Sequence, residues 1–520
     1  MRNIKFILLS FIMLASVSAF AETLANVLTS VTVAQGKLEG VEEQGLGVFK
    51  AIPYAEPPVG DLRWKAPVPK KSWTGVYRAE DFAPMPPQEV RTFGDQEPPK
   101  WSEDCLYLSV MTPAKSATEK LSVMVWIHGG GFITGSYTNP MGFNLAHKGV
   151  ILVSIAYRTG ALGFLALPEL SKESEQSISG NYGLMDQILA LEWIKENIAT
   201  FGGDPNKVTI FGESAGAIAV SMLCASPLAK GLFRGAISES GGSFCPVDSV
   251  RHNNNGIRHL KGAEQHGVAF MKRIGAKNLK QLRKMSADAW ISDKETTGVG
   301  GFWPTVDGYV ITDDQYKLYE KGEFNDVNVI VGTNSDEGSM FVRPCLVAEY
   351  EGEVHRDYGL FADRILQLYP ARSEQETFAA RSDIFRETAF AWPSFAWARL
   401  QGEKGKSDVF VYYFDQITEN PWMRGPQRGA GHASELPYVF GMHRGEPTPM
   451  NSAMSELMMT YWTNFVKTGD PNSKGMPHWP VYDEDKATVM MFKDGAHLIN
   501  VPNRPQLELM EEFFKWKREQ

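Results

Sequence analysis

The 520-residue chain is 43% hydrophobic and 22% charged, a composition that supports a large buried core and argues against a disordered or fibrous protein. Its formal net charge of −9 argues against a nucleic-acid partner. Because the sequence has no Ser/Gly-rich or Pro-rich linker, long charge run or internal repeat, it favours one α/β domain of residues 22–520 over the two or three that its length allows.

The first 21 residues have the pattern of an export signal. Arg2 and Lys5 precede an apolar stretch at 6–17, and Ala19-Phe20-Ala21 supplies the small residues that a cleavage site requires. We predict a signal peptide over 1–21 and a periplasmic or secreted mature chain. No cysteine follows the apolar stretch, which argues against a lipid anchor, and no later apolar run approaches the roughly 20 residues that span a bilayer.

Cysteines are too few to form a disulfide scaffold, although an oxidising compartment would permit disulfides. The sequence does not determine whether any of them pair, and we expect mostly buried thiols. The four are Cys105, Cys224, Cys245 and Cys345.

An apolar run at 121–127 is predicted to be a buried strand, and it ends in His128-Gly129-Gly130-Gly131-Phe132. Consecutive glycines expose backbone N–H groups, which are the donors that an oxyanion hole requires. Taken alone, the triplet is equally compatible with a turn that binds nothing.

A second apolar run at 208–211 breaks into Gly212-Glu213-Ser214-Ala215-Gly216 and continues as small and apolar residues at 217–224. This pattern is typical of a nucleophile elbow, in which a serine lies on a sharp turn between a strand and a helix. A serine hydroxyl is a weak nucleophile at neutral pH and needs such a position, within reach of a base. Ser214 is therefore the predicted nucleophile.

The glycine triplet and the elbow together indicate acyl-transfer chemistry. Their spacing allows the two preceding strands to be neighbours in one parallel sheet, which would bring the triplet to the nucleophile. We predict that the N–H groups of Gly130, Gly131 and Ala215 form the oxyanion hole.

Two apolar faces at helical spacing are expected to pack into the core. One runs from Leu184 to Ile198 and the other from Met454 to Phe465, and the second ends near Gly469-Asp470-Pro471. The basic cluster that lies between them in the chain is interpreted as a solvated loop, with contact to an acidic substrate as the alternative. Its members are Arg251, His252, Arg258, His259 and Lys261.

The triad acid is expected after a late strand. A β-branched run at 327–331 leads into a loop at 332–338 that carries Asp336 and Glu337 at its tip. Either carboxylate could accept the Nδ1–H of a histidine and stabilise the imidazolium, so the residues alone leave both open.

The base is expected after the nucleophile and the acid, as in α/β-hydrolases. Most histidines after Ser214 lie in polar stretches, whereas His432 lies in a glycine-flanked loop, 429–432, that leads into an apolar segment. We therefore favour His432. The candidates are His252, His259, His266, His355, His432, His443, His478 and His497.

Several separated motifs now resemble those of the type-B carboxylesterase family, the cholinesterase-like branch of the α/β-hydrolases. The resemblance spans almost the whole mature chain. The motifs, in order, are 52–60 (IPYAEPPVG), 102–108 (SEDCLYL), 128–132 (HGGGF), 212–216 (GESAG), 336–338 (DEG) and His432 followed by 435–440 (ELPYVF).

The resemblance implies a central, mostly parallel sheet flanked by helices, with long loop and helical insertions that form an active-site gorge. It implies the triad Ser214, Glu337 and His432, and no cofactor or metal. It also implies ion pairs of Arg63 with Glu103 and Arg158 with Asp186, and a buried supporting serine, Ser240. Glu213, beside the nucleophile, would tune the histidine or hold water.

Three features depart from the family pattern. No cysteine precedes Cys105 to form the usual disulfide, so we expect the loop at 88–100 to be more mobile. No tryptophan in that loop matches the one that holds quaternary ammonium by cation–π attraction, so choline esters are unexpected substrates. Ser109 replaces the usual asparagine after Leu106-Tyr107-Leu108, with no consequence that the sequence shows.

We therefore expect a serine carboxylic-ester hydrolase that forms an acyl-enzyme intermediate. One alternative is a non-catalytic adhesion or binding protein on the same fold, and another is a hydrolase of amides or lactams. The substrate is expected to be a small-molecule or polysaccharide-linked ester, with short alkyl, aryl, feruloyl, acetyl and toxin esters all open. The oligomeric state is also open.

Overall fold

The computed structural model describes residues 27–89, 100–138, 142–248, 257–291, 301–417, 428–442 and 448–520. The predicted signal peptide, most of the loop at 88–100, and Arg251 and His252 lie outside these ranges. Within them, none of the helices combines the length and the apolar character that crossing a bilayer requires.

Within the described residues, the strands form one large sheet and two small ones. They are β1 (Ser30–Val33), β2 (Gly36–Glu39), β3 (Val41–Glu43), β4 (Leu46–Pro53), β5 (Val76–Arg78), β6 (Tyr107–Thr112), β7 (Leu121–Ile127), β8 (Ile151–Ile155), β9 (Gly203–Glu213), β10 (Gly235–Glu239), β11 (Arg258–His259), β12 (Thr305–Val306), β13 (Asn328–Asn334), β14 (Val409–Phe414), β15 (Thr488–Phe492) and β16 (Ala496–Asn500).

Helices fill the connections between the strands. They are α1 (Phe143–His147), α2 (Gly160–Phe164), α3 (Pro168–Glu173), α4 (Tyr182–Asn197), α5 (Ala215–Ala225), α6 (Leu260–Arg273), α7 (Leu279–Leu282), α8 (Asp288–Ile291), α9 (Gln315–Lys321), α10 (Val347–Tyr358), α11 (Ala362–Leu368), α12 (Glu374–Arg386), α13 (Trp392–Lys404), α14 (Leu436–Val439), α15 (Pro449–Thr468) and α16 (Arg504–Glu519).

The large sheet has the strand order β16-β15-β14-β13-β10-β9-β7-β8-β6-β4-β3 in the described chain. Its centre, from β15 to β8, is parallel, and its edges are antiparallel. In a parallel sheet the carboxyl ends of the strands meet at one edge, where functional loops cluster. The predicted mostly parallel α/β sheet is thus confirmed, and β7 and β9 are neighbours as their spacing suggested.

Apolar residues lie on both faces of this sheet because helices cover both faces. On one face Phe211, Ile237 and Ile330 pack with α15, and on the other Ile210, Ala236 and Val329 belong to a larger core. The two helices predicted to be core elements are α4 and α15, and both bury an apolar face. The run predicted at 327–331 begins one residue later and continues to Asn334.

The two ion pairs that the resemblance implies are present. Arg158 is fully buried and donates two hydrogen bonds to the Asp186 carboxylate, at 2.8 and 2.7 Å. The Arg63 guanidinium donates to Glu103 at 2.7 Å. Breaking such a pair is costly, because removing one partner would leave a buried, uncompensated charge. Both partners are therefore held in place.

The structure also places the cysteines, Ser109 and a histidine of the basic cluster. No disulfide forms within the described residues, and the cysteine side chains are buried except for that of Cys345, which is half-buried. Ser109 is buried on β6 opposite Ser154 of β8. His259 of the basic cluster lies on the surface, where its Nδ1 is 2.7 Å from a carboxylate oxygen of Asp248.

Candidate active site

The turn between β9 and α5 is strained at Ser214. This residue has φ 56° and ψ −123°, a backbone conformation that non-glycine residues rarely adopt and that is typical of functional sites. A Cβ on Gly216 would lie 2.0 Å from the Ile127 carbonyl oxygen, and one on Gly212 would lie 2.6 Å from the same atom. The flanking glycines are therefore required, since only hydrogen fits between the elbow and β7.

The glycine triplet packs directly against this elbow. Gly130 and Gly131 have φ +100° and +64°, which side chains disfavour. The carbonyl oxygen of Gly130 accepts the N–H groups of Ile133 and Thr134, at 3.1 and 3.0 Å, and so closes a tight turn. The loop is thereby held in one conformation beside the nucleophile candidate.

Three backbone N–H groups remain available here. Within the described residues, no hydrogen bond is donated by the N–H groups of Gly130, Gly131 or Ala215. Ala215 is the first residue of α5, whose first N–H groups lack intrahelical acceptors and lie at the positive end of the helix dipole. The arrangement can stabilise an anionic oxygen above Ser214.

We predict that Gly129→Ala lowers kcat by about 10²-fold or more. The new Cβ would lie 2.6 Å from the Glu213 carbonyl oxygen and 3.2 Å from the Ser214 Cβ, so the loop must move away from the elbow. Steady-state kinetics on an activated ester measures the loss. The matched control is Gly352→Ala in α10, where the added Cβ meets no atom within 4 Å; wild-type kcat in Gly129→Ala would contradict the prediction.

Of the two candidate acids, Glu337 contacts the histidine. Its Oε2 lies 2.5 Å from His432 Nδ1, and its Oε1 accepts hydrogen bonds from the Ser240 hydroxyl at 2.5 Å and the Asn334 N–H at 2.7 Å. The side chain is fully buried. These donors hold the carboxylate in place and orient the imidazole.

Asp336 points elsewhere and fixes the loop. Its Oδ1 accepts the hydroxyls of Ser339 at 2.5 Å and Ser382 at 3.1 Å, and its Oδ2 accepts the N–H of Arg428 at 3.2 Å. Of the two carboxylates that the sequence left open, the structure brings Glu337 and not Asp336 to His432. Asp336 anchors the strand end, and Glu337 faces His432.

The other nitrogen of His432 faces the elbow. His432 Nε2 is 3.1 Å from Oε1 of Glu213, the residue that precedes Ser214. This is a charge contact without hydrogen-bond geometry, since Glu213 Oε1 has no hydrogen-bond partner within the described chain. The Ser214 hydroxyl likewise forms no hydrogen bond to a described residue, and Ser214 is half-buried, open to an incoming molecule.

Charges around the imidazole alter its pKa. Burial disfavours the charged ring, but the carboxylates of Glu213 and Glu337 outweigh burial and raise the pKa of His432 to about 9. Burial raises the pKa of Glu213 to about 7, against the opposing effect of His432. The buried cluster therefore holds protons at neutral pH that exposed groups would release.

Sequence reasoning missed an aromatic wall beside His432. Phe390 stacks on the imidazole with ring centroids 4.7 Å apart, and Phe341 meets it edge-on at 5.2 Å. Phe385 stacks on Phe341 at 4.6 Å. Phe390 belongs to a π-helical turn, Glu387–Ala391, between α12 and α13, a feature often found at functional sites. No helical period in the sequence signals that turn.

This fold and site define an α/β-hydrolase with a serine elbow and an acyl-transfer geometry. No group of His, Cys, Asp or Glu side chains suited to holding a metal ion occurs in the described ranges. The profile of the Carboxylesterase family matches residues 28–510. The chain belongs to the carboxylesterase family, as its motifs indicated, and is a carboxylic-ester hydrolase.

Relatives with different substrate names are about equally similar. The chain is 33% identical to the para-nitrobenzyl esterase of Bacillus subtilis (strain 168), covering 94% of this chain and 99% of that protein. It is 35% identical to the fumonisin B1 esterase of Sphingopyxis macrogoltabida, covering 88% and 85%, and 32% identical to the cocaine esterase of Homo sapiens, covering 90% and 86%. A solved structure of PNB esterase superposes with a TM-score of 0.79 at 33% identity, covering 93% of this chain and 99% of that one.

Proposed function

We propose that Ser214, His432 and Glu337 are the catalytic triad of this ester hydrolase, and that Gly130, Gly131 and Ala215 donate its oxyanion hole. The observation that carries the proposal is the orientation of His432. Its Nδ1 is fixed 2.5 Å from Glu337, and its Nε2 lies 3.1 Å from Glu213, beside the strained Ser214.

In the proposed mechanism, His432 takes the hydroxyl proton of Ser214 as the oxygen attacks the ester carbonyl carbon. The carbonyl oxygen becomes an oxyanion held by the three N–H groups. The ester C–O bond then breaks and His432 protonates the leaving alcohol. Water, activated by the same histidine, releases the acid and restores Ser214, while Glu337 stabilises the imidazolium in both steps.

The aromatic wall supports an apolar group on the substrate. Phe341 and Phe390 contact the imidazole of His432, Phe385 packs on Phe341, and none of these side chains offers a hydrogen-bond donor or acceptor. We propose that the ester group placed next to the histidine is aliphatic or aromatic. The names of the relatives do not choose among substrates, because esterases named for three different substrates are similarly related to this chain.

The test uses residues 22–520 with p-nitrophenyl esters of increasing acyl length and with methyl ferulate. We expect turnover that Ser214→Ala abolishes, with an acyl-length profile that reports the size of the apolar pocket. Folded protein that turns over no ester would favour the binding-protein alternative. Preference for a matched anilide over the ester would favour the amidase alternative.

Glu213 is predicted to set the pH dependence of kcat/KM. The neutral imidazole is the base, so activity falls as pH drops through the pKa of His432, which the Glu213 carboxylate raises. Glu213→Gln should therefore move the acidic limb of the profile to lower pH, by about one unit. Exposed Glu349 provides the control Glu349→Gln, and a limb that does not move in Glu213→Gln would refute this role.

We also propose that the chain is exported. Support comes from the basic, apolar and small-residue pattern of residues 1–21. N-terminal sequencing of the protein recovered from periplasm or medium should begin at Glu22. A chain that retains Met1 and stays with the cytoplasmic fraction would contradict export.

A further inference from the structure

A row of four residues crosses the sheet behind the proposed triad. Glu213 on β9 pairs with Glu239 on β10, Glu239 pairs with Gly332 on β13, and Gly332 pairs with Tyr412 on β14. Paired positions on parallel strands direct their side chains to the same face of a sheet. Glu213 and Glu239 are therefore neighbours on one buried face, and we call these four residues the acid row.

Gly332 makes room for the tyrosine of the acid row. A Cβ on Gly332 would lie 2.2 to 2.4 Å from three ring atoms of Tyr412, so the ring lies over the glycine. The ring therefore occupies the position next to Glu239. Burial and the carboxylates of Glu435 and Glu239 raise the pKa of Tyr412.

Two further side chains close this buried space. Glu435, just before α14, accepts a hydrogen bond from the side-chain amide of Asn334, at the end of β13. The indole Nε1 of Trp462 on α15 donates to Glu239 Oε1 at 2.6 Å. All these side chains are buried, and Glu213 links the cluster to His432.

The unpaired oxygen atoms of this cluster outnumber the hydrogens that could bond to them. Within the described residues, five buried oxygen atoms lack a hydrogen-bond partner, namely Glu213 Oε1, Glu239 Oε2, Glu435 Oε1, Asn334 Oδ1 and the Tyr412 hydroxyl. If every carboxyl were ionised, the tyrosine would supply the one hydrogen among these five atoms. Buried polar atoms left unpaired are costly, so a proton taken up by the cluster would stabilise it.

Glu239 is the carboxyl least able to stay ionised. Glu337 is stabilised by the Ser240 hydroxyl, the Asn334 N–H and His432. Glu435 accepts from the Asn334 amide, although burial and the carboxylates of Glu213 and Glu337 raise its pKa to about 8. Glu213 faces the imidazole. Among the residues that the structure describes, Glu239 has one donor, Trp462, while burial and the nearby Glu435 and Glu213 raise its pKa well above the usual range.

We propose that Glu239 is a positioning residue that stays protonated at neutral pH and donates its carboxyl proton to an oxygen of Glu435 or Asn334. Of the two carboxyl groups in the acid row, Glu213 is then the one that carries a negative charge beside His432. A second carboxylate in the row would raise the pKa of His432 further and leave less neutral imidazole to accept the Ser214 proton at neutral pH. This role rests on the proposed triad, because it acts through the histidine.

The protonation state is measured directly by infrared difference spectroscopy. A protonated acid has a carbonyl stretch that shifts in deuterium oxide, and we expect wild-type protein at neutral pH to show one that Glu239→Gln lacks. The same band is expected in the inactive Ser214→Ala background, so failure of the triad proposal and failure of this one are distinguishable. A wild-type spectrum without a band assignable to Glu239 overturns the proposal.

Kinetics separates a positioning role from a purely structural one. In Glu239→Gln the amide oxygen can accept from Trp462 and the amide N–H can donate as the acid does, whereas Glu239→Leu can do neither. We expect Glu239→Leu to lower kcat about tenfold, because it leaves buried oxygens unpaired. Glu239→Gln should recover most of that loss, and the acidic limb of its kcat/KM profile should stay at the wild-type pH. A limb shifted to lower pH in Gln would mean that Glu239 is ionised.

Tyr412 is tested with its neighbour as the matched control. Tyr412→Phe removes the hydroxyl hydrogen from the cluster, and we expect the infrared band of Glu239 to change frequency. Tyr413 lies on the opposite face of β14, half-buried near Arg386, so Tyr413→Phe should leave the band unchanged. Equal effects of the two substitutions would refute the assignment of Tyr412 to the acid row.

Discussion

Ser214→Ala is expected to lower kcat for ester hydrolysis by about 10⁴- to 10⁶-fold, because the proposed acyl enzyme forms on the Ser214 hydroxyl. His432→Ala should lose a similar factor, since the hydroxyl then has no base. The double variant should be little worse than either single one, because the two residues act as a unit. The measurement is the kcat of each purified variant on an activated ester, with folding checked by thermal melts.

Exposed residues of the same types provide the controls. Ser452→Ala on α15 and His478→Ala change surface positions, and both should keep wild-type kcat. A burst of product from Ser214→Ala, equal in amount to enzyme, would show that another residue is acylated. That result would remove Ser214 from the mechanism while leaving the family assignment intact.

Glu337→Gln is expected to lower kcat by about 10²- to 10⁴-fold with little change in KM. The neutral amide can present an N–H to His432 Nδ1 in place of a carboxylate, which favours the wrong tautomer and removes the charge that stabilises the imidazolium. Because that carboxylate also raises the pKa of His432, the acidic limb of the surviving activity should move to lower pH.

Asp336→Asn is the matched control for that variant. Asp336 bonds Ser339, Ser382 and the N–H of Arg428 and not His432, so its neutralisation should reduce thermal stability more than kcat. If Asp336→Asn were the inactive variant and Glu337→Gln the active one, the assignment of the acid would be reversed. Both variants can be compared in one kinetic and melting series.

The sequence could supply candidates for the nucleophile and the oxyanion hole because these candidates lie in short, contiguous motifs. The elbow around Ser214 and the glycine triplet at 129–131 are contiguous, and their glycines are dictated by close approaches within one turn or between neighbouring strands. The apolar runs that correspond to β7 and β13 were likewise recognisable as strands, because buried parallel strands are apolar on both faces.

Other choices depended on contacts between distant parts of the chain. Asp336 and Glu337 are adjacent and chemically alike, and only the position of the loop that carries His432 gives Glu337 the histidine contact. Phe390 reaches that histidine because a π-helical turn alters the helical period, a change that the residue pattern does not encode visibly.

By itself, then, the sequence determined the family, the sheet and the candidates for the catalytic residues, because strand burial and tight turns restrict the residues that each position accepts. The tertiary structure alone decided which carboxylate meets His432, which aromatic rings cover it, and that Glu239 and Tyr412 share a buried row with Glu213. The reason is physical. Strand register and helix packing join residues that are tens to hundreds of positions apart, and the pKa of a buried acid follows from those neighbours and not from its own place in the chain.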